Sequence, residues 1–227
     1  MYELYIANKN YSSWSLRPWV LMRELGIAFR EHLLPFGQET LWAEFRKISP
    51  LGKVPCLIDG ETVVWDSLAI VEYLAERHSG VWPGASDARA WARSAAAEMH
   101  SGFGELRNRC SMSCGQRVKL YEFPPVLERE IARLNALWGE GLRRFGGPYL
   151  AGPEFTAVDA FYAPVAFRVQ GYGLSLDGAA AAYVDRLLET RAMREWYGDA
   201  LKETIRDEPH EVDLARMGRV LEDLRAK

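Results

Sequence analysis

KVPCLIDGETVVWDSLAIVEYL, residues 53–74, changes period halfway. Val54–Ile58 is apolar and β-prone, Asp59-Gly60 is a hairpin turn signal, and Thr62–Trp65 reads as the return strand. From Leu68 to Arg77 the apolar residues recur at helical spacing. Upstream, Tyr2–Ala7 alternates as a short strand, and Asn8–Ser13 is a polar loop. Leu16–Leu25 reads as a helix with Pro18 in its first turn and Gly26 at its end. Phe29–Leu34 is a second strand, and Leu41–Ile48 a short helical stretch. The order βαβ, helix, ββα predicts a parallel pair with a right-handed crossover joined to an antiparallel hairpin. A mixed four-stranded sheet with helices on its faces follows.

After His78 the pattern shifts. Ser79–Asp87, with Gly80, Pro83 and Gly84, reads as a linker. Residues 88–227 then read as a helical domain without strands: Ala88–Arg109, Pro124–Phe145, Val158–Gln170, Ala180–Arg191 and Met193–Ile205. Asp207–Lys227 is charged and carries no assignment. The fold class is α/β plus all-α, with a sheet domain over 1–78 and a helical bundle over 88–227.

A net charge of -3 with no basic block argues against a nucleic-acid partner. No apolar run reaches the ~20 residues that cross a bilayer. The N-terminus lacks a signal-peptide pattern, so a cytoplasmic protein is expected. Three cysteines, Cys56, Cys110 and Cys114, make a poor disulfide framework, and none has the partners of a metal set.

Four local features carry chemistry. Ser12-Ser13-Trp14-Ser15 places hydroxyls at a helix start, where unpaired N–H groups favour an anion; plain N-capping is the competing reading. Lys53-Val54-Pro55 puts a proline at a strand entrance. A cis bond there would turn the Val54 backbone outward to pair with an extended peptide; an ordinary trans proline is the alternative. Asp66-Ser67 stands at the start of the next helix and suits an amino-acid head group, or merely caps. Thr156–Asp159 is a capping box with a structural role only.

In order and spacing these segments resemble the cytosolic glutathione transferases. Ser12–Arg17 is similar to the serine loop of the zeta-type members, with Trp14 where a cysteine is usual. Pro50–Pro55 is similar to the family's cis-proline segment, Asp66–Leu74 to its acid/Ser motif and helix, and Thr156–Asp159 to its capping box. The likeness is tight over 1–78, looser over 88–200, and absent in the last twenty or so residues. It implies a thioredoxin-like N-terminal domain, glutathione as co-substrate, no metal, a small electrophile as second substrate, and a homodimer. Ser12, with Ser13 close behind, would donate to the glutathione sulfur and hold it as thiolate, while Ser15 would cap. Val54, beside Pro55, would pair with the cysteinyl part, and Asp66 and Ser67 would hold the γ-glutamyl head. Lys53, Trp42, Arg46 and Thr40 would meet the carboxylate end. Trp14, His100, Phe103 and Arg107 are the candidates for the second pocket, with Arg109 and Arg168 behind them. A loop without cysteine argues against disulfide-exchange chemistry. Conjugation, isomerisation of a maleyl-type dicarboxylate with glutathione unconsumed, and binding without turnover stay open, since fold does not fix function.

Overall fold

Strand β1 (Tyr2–Ile6), helix α1 (Ser13–Glu24) and strand β2 (Phe29–Leu33) form the opening unit. In the computed structural model, which describes residues 1–227, β1 and β2 are parallel, with Tyr2 beside Phe29 and Ile6 beside Leu33. Helix α2 (Glu39–Phe45) precedes the hairpin of β3 (Cys56–Asp59) and β4 (Thr62–Val64), and α3 (Ser67–Ala75) follows. β3 runs antiparallel to β1, so the strand order is β2-β1-β3-β4, the mixed sheet that the sequence predicts. The Val54–Pro55 peptide is cis.

The second part holds α4 (Ser86–Ser101), α5 (Gly104–Arg109), α6 (Pro125–Phe145), α7 (Ala157–Tyr172), α8 (Gly178–Glu189), α9 (Arg191–Lys202) and α10 (Glu208–Met217). No helix is long and apolar enough to cross a membrane. α7 is buried on almost every face and packs on α4, α8 and α1. α1 is almost as buried, because it touches β1 and α3 in its own domain and α7 and α9 across the boundary. One apolar core therefore runs from Leu4 and Ile6 through Trp19 to Trp138, Phe161 and Trp196.

The structure differs from the sequence reading in three places. The helix expected over Ala88–Arg109 breaks at Gly102-Phe103. Phe103 sits at φ 54, a left-handed conformation uncommon for a bulky residue, and a Cβ on Gly102 would lie 2.7 Å from the Glu98 carbonyl oxygen. Glu130 of α6 holds the break by accepting from the N–H groups of Glu105 and Leu106 at 3.2 and 2.7 Å. Second, the helical part is not free of strands: β5 (Gln116–Leu120) pairs antiparallel with β6 (Gly218–Asp223). Neither has a sequence neighbour to pair with, so each exists only because the other end of the chain returns to it. Third, the 79–87 linker is docked: Val81 and Trp82 are buried, and the Val81 carbonyl accepts from Ala157 N–H at 2.8 Å.

The capping box of α7 is formed as read. Asp159, fully buried, accepts from the N–H groups of Leu150 and Thr156 at 3.0 and 2.9 Å and from Tyr183 Oη at 2.8 Å. Burial raises its pKa from 3.8 to about 6, against the pull of those donors. Asp159→Ala strands them, and we expect denaturant melts at pH 7 to show a loss of about 3 kcal/mol. The raised folded-state pKa gives Asp159 a contribution that is full below the unfolded value and is lost as pH rises through about 6. The gap between wild type and Asp159→Ala should therefore be wider at low pH than at neutral pH.

Candidate active site

A cleft of about 740 Å³ opens between the β1–α1 loop, the β2–α2 region and the second domain. Ser12, Ser13, Trp14, Trp42, Lys53, Val54 and Arg107, all singled out in the sequence, line it together with Arg46 and Arg168. Its remaining walls hold Tyr11, Phe36, Ser111, Met112, Asp207 and His210.

Ser12 is the N-cap of α1 yet makes no side-chain bond to a helix N–H. Its Oγ instead lies 2.7 Å from Ser15 Oγ, which accepts from Ala7 N–H at 3.3 Å. Ser15 is thus inside the first turn and paired with Ser12, so the cap expected of it does not form. Ser13 Oγ has no partner within the chain and lines the cleft. Trp42 donates Nε1 to the Pro35 carbonyl at 3.0 Å and stacks on Phe36 at 5.9 Å. Thr40 is exposed on α2 and does not line the cleft, because the helix turns Glu39, Trp42 and Arg46 toward it instead.

Trp14 joins the cleft to a second, shallower depression. Its ring carries the Arg17 guanidinium on its face at 4.1 Å and meets the His100 ring edge-on at 5.2 Å. His100 lies in that depression with Asp66, Trp65 and Leu51, and its Nε2 is 3.5 Å from Asp66 Oδ2. Burial lowers the His100 pKa, and the nearby Arg17 and Arg107 add to that against Asp66. Asp66 Oδ1 also caps α3 by accepting from Leu68 N–H at 2.9 Å. Beside it the Ser67 hydroxyl is buried and unpartnered. Asp66, Ser67 and His100 thus form a group next to the main cleft and not within it. Pro55 is buried behind Val54. Phe103 faces elsewhere: its left-handed backbone aims the ring edge-on at Tyr162 and leaves it beside Gly102 and Val126 on another surface. Arg109 pairs with Glu105 at 2.8 Å, outside the cleft.

The electrostatics of the cleft are positive. Arg17 is buried, with Nε and Nη1 unpartnered, held between the Trp14 and Phe161 rings. Burial, with Arg168 and Arg107 nearby, lowers its pKa to about 9. Arg168, also buried, donates Nε to the Cys110 carbonyl at 2.8 Å, and burial lowers its pKa to about 10. No thiol serves here: all three cysteines are buried, and burial pushes Cys110 up to about 12.

Sequence reading missed Arg17 as more than part of a motif, and missed Tyr11, Asp207 and His210 entirely. Asp207 followed by Pro209 is a helix-start signal that marks α10. Nothing local indicates that α10 lies over Tyr11. It does so through Arg225, whose buried guanidinium bonds Glu211, Asp223 and Tyr11 Oη, the last at 2.9 Å, while Tyr11 Oη donates to Glu211 at 2.5 Å.

A sheet domain of this topology, a fused helical domain and a serine-bearing cleft between them define a thioredoxin-like protein with a two-domain site. Residues 11–77 match the family model described as glutathione S-transferase, N-terminal domain. Glutathione S-transferase 1 of Dianthus caryophyllus is 29% identical over 182 residues, covering 77% of this chain and 80% of its own. A zeta-class glutathione S-transferase of Euphorbia esula is 33% identical over 129 residues, 56% of this chain and 57% of its own. A solved glutathione transferase homolog from Burkholderia GL BGR1, with bound glutathione, shares the fold at a TM-score of 0.67 and 19% identity, covering 88% of this chain and 97% of that one. The sheet domain of this chain is thus similar in sequence to glutathione S-transferases, and most of the chain shares their fold.

Arg225→Ala should release the wall built by α10 and β6. Hydrogen exchange followed by mass spectrometry is expected to show at least ~10-fold faster exchange in that segment, with α7 unaffected. Uniform acceleration across the chain would mean that Arg225 supports the global fold instead.

Proposed function

We propose that the protein binds glutathione along the sheet-domain side of the cleft and holds its thiol as thiolate through Ser12, for attack on a small electrophile. The serine pair at the start of α1 carries this reading. Ala7 N–H donates to Ser15 Oγ, which lies 2.7 Å from Ser12 Oγ; with the Ser15 hydroxyl turned toward Ser12, the Ser12 proton would be free to point at a sulfur in the cleft. Such chains polarise one another, and the unpaired N–H groups of the helix start add positive potential. A free thiol titrates near ~8.5, so a donor aimed at the sulfur raises the thiolate fraction at neutral pH. The positive field of Arg17, Arg107 and Arg168 acts in the same direction.

The tripeptide would lie with its glycyl carboxylate toward Lys53, Arg46 and Trp42 and its cysteinyl backbone on Val54. Its γ-glutamyl head would reach the Asp66–Ser67 group, where the unpartnered Ser67 hydroxyl supports a ligand contact. Exposed Leu51 and Trp65 flank that group and support burial against a second copy, so a dimer is expected in size-exclusion chromatography with light scattering.

Calorimetric titration with glutathione tests the site. Wild type should bind, and Asp66→Ala and Ser67→Ala should each weaken binding several-fold. The bound thiol, followed by thiolate absorbance, should titrate about one unit higher in Ser12→Ala, with a much smaller change in Ser13→Ala. The reverse order would assign the role to Ser13, and no binding by wild type would sink the reading.

Arg107 and Arg168 in the cleft favour one further reading: isomerisation of a maleyl-type dicarboxylate, with glutathione added and then released. NMR of such a substrate with sub-stoichiometric glutathione would then show full conversion and undiminished glutathione. Conversion limited to the amount of glutathione supplied would exclude it.

A further inference from the structure

The outer wall of the cleft contains a carboxylate–imidazole pair. Asp207 Oδ2 accepts from the His210 backbone N–H at 3.3 Å and lies 2.5 Å from His210 Nδ1. Capping of α10 needs only the first of these contacts. The second fixes the ring: with Nδ1–H given to a carboxylate, Nε2 is the nitrogen left for a ligand. The imidazole is stacked between Tyr11 at 5.0 Å and Phe36 at 5.2 Å, and Asp207 and His210 line the same cleft as Ser12 and Ser13. Tyr11 adjoins Ser12 in the chain and is itself held by Glu211 and Arg225. The pair therefore stands on a braced wall beside the serines.

We propose that His210 is a catalytic acid for electrophiles that leave through oxygen, epoxides and ethers, with Asp207 as its positioning residue. This rests on the glutathione-conjugating reading above. The thiolate sulfur forms a bond to the electrophilic carbon as the carbon–oxygen bond breaks, and the electron pair of that bond stays on oxygen. His210, as imidazolium, gives its Nε2 proton to the oxygen and is left neutral. The proton shed by the glutathione thiol restores it. The sum is thiol plus epoxide to hydroxy-thioether, or thiol plus ether to thioether and alcohol. A halide departs as a weak base and needs no such proton, so an acid at this position makes the protein selective for oxygen leaving groups.

The test compares styrene oxide with chlorodinitrobenzene as probes at fixed glutathione, in full-length wild type, His210→Asn and His210→Phe. Asn keeps a hydrogen bond toward Asp207, and Phe keeps a ring in the stack. Both variants should lose about 100-fold in kcat/KM on the epoxide and less than ~10-fold on the chloride. Asp207→Asn should show the same selective loss, smaller and in kcat more than in KM. Equal losses on both probes mean that His210 only supports the wall and overturn the proposal. So does an undiminished epoxide rate, or a wild type that conjugates the chloride and not the epoxide. A wild type that binds glutathione but turns over neither probe overturns the conjugation reading, and the proposal with it.

Discussion

The loop Asn8–Ser12 is polar and buried, and the rest of the site depends on how that burial is satisfied. Polar backbone taken out of water must find partners or lose several kcal/mol per segment. Here the partners come from the far end of the chain. Glu203 accepts from the N–H groups of Lys9 and Asn10 at 2.6 and 3.1 Å, and Trp196 donates Nε1 to the Lys9 carbonyl at 2.8 Å. Lys9 Nζ is clamped between Glu31 and Asp199 at 3.0 and 2.9 Å. Burial pushes the Glu203 pKa up while these N–H donors pull it down. The serine loop of the first domain is therefore positioned by the second, and the two domains are one folding problem as well as one site.

Behind that loop lies a concentration of positive charge with little to balance it. A buried guanidinium such as Arg17 is costly, and the faces of Trp14 and Phe161 offset only part of that cost. Arg107 and Arg168 add repulsion, which is why burial and its neighbours together bring Arg17 down to about 9. Strain of this kind is relieved by an anion, and Trp14, with Arg17 over its face and His100 against its edge, touches both the cleft and the adjoining depression. The residue that departs from the familiar loop pattern is thus the one that links the two halves of the site.

The C-terminal segment gives the cleft its outer wall. β6 reaches β5 across about half the chain, and Arg225, buried between Glu211, Asp223 and Tyr11, locks the return. Local bias for that ribbon is weak: β5 offers Val118 and Leu120, and β6 is mostly exposed. Its stability comes from pairing and from the ion pairs that the buried Arg225 makes with Glu211 and Asp223.

Features written in neighbouring residues were legible from the chain alone. The Asp59-Gly60 turn, the helix starts at Asp66 and Thr156, and the serine run before α1 depend on local hydrogen bonding and backbone preference, which a short window contains. The glutathione S-transferase pattern was legible for the same reason, since its motifs are local. The break at Phe103 was not, because it is held by Glu130 of another helix, and the strand pair was not, because each strand needs its distant partner. Phe103 and Thr40 look like neighbours of the site in sequence and face away from it in space, whereas Arg17 and His210 become site residues only when Trp14, Phe161, Tyr11 and Phe36 close around them. Local chemistry determined which elements form; long-range burial of polar and charged groups decided which side chains share the cleft.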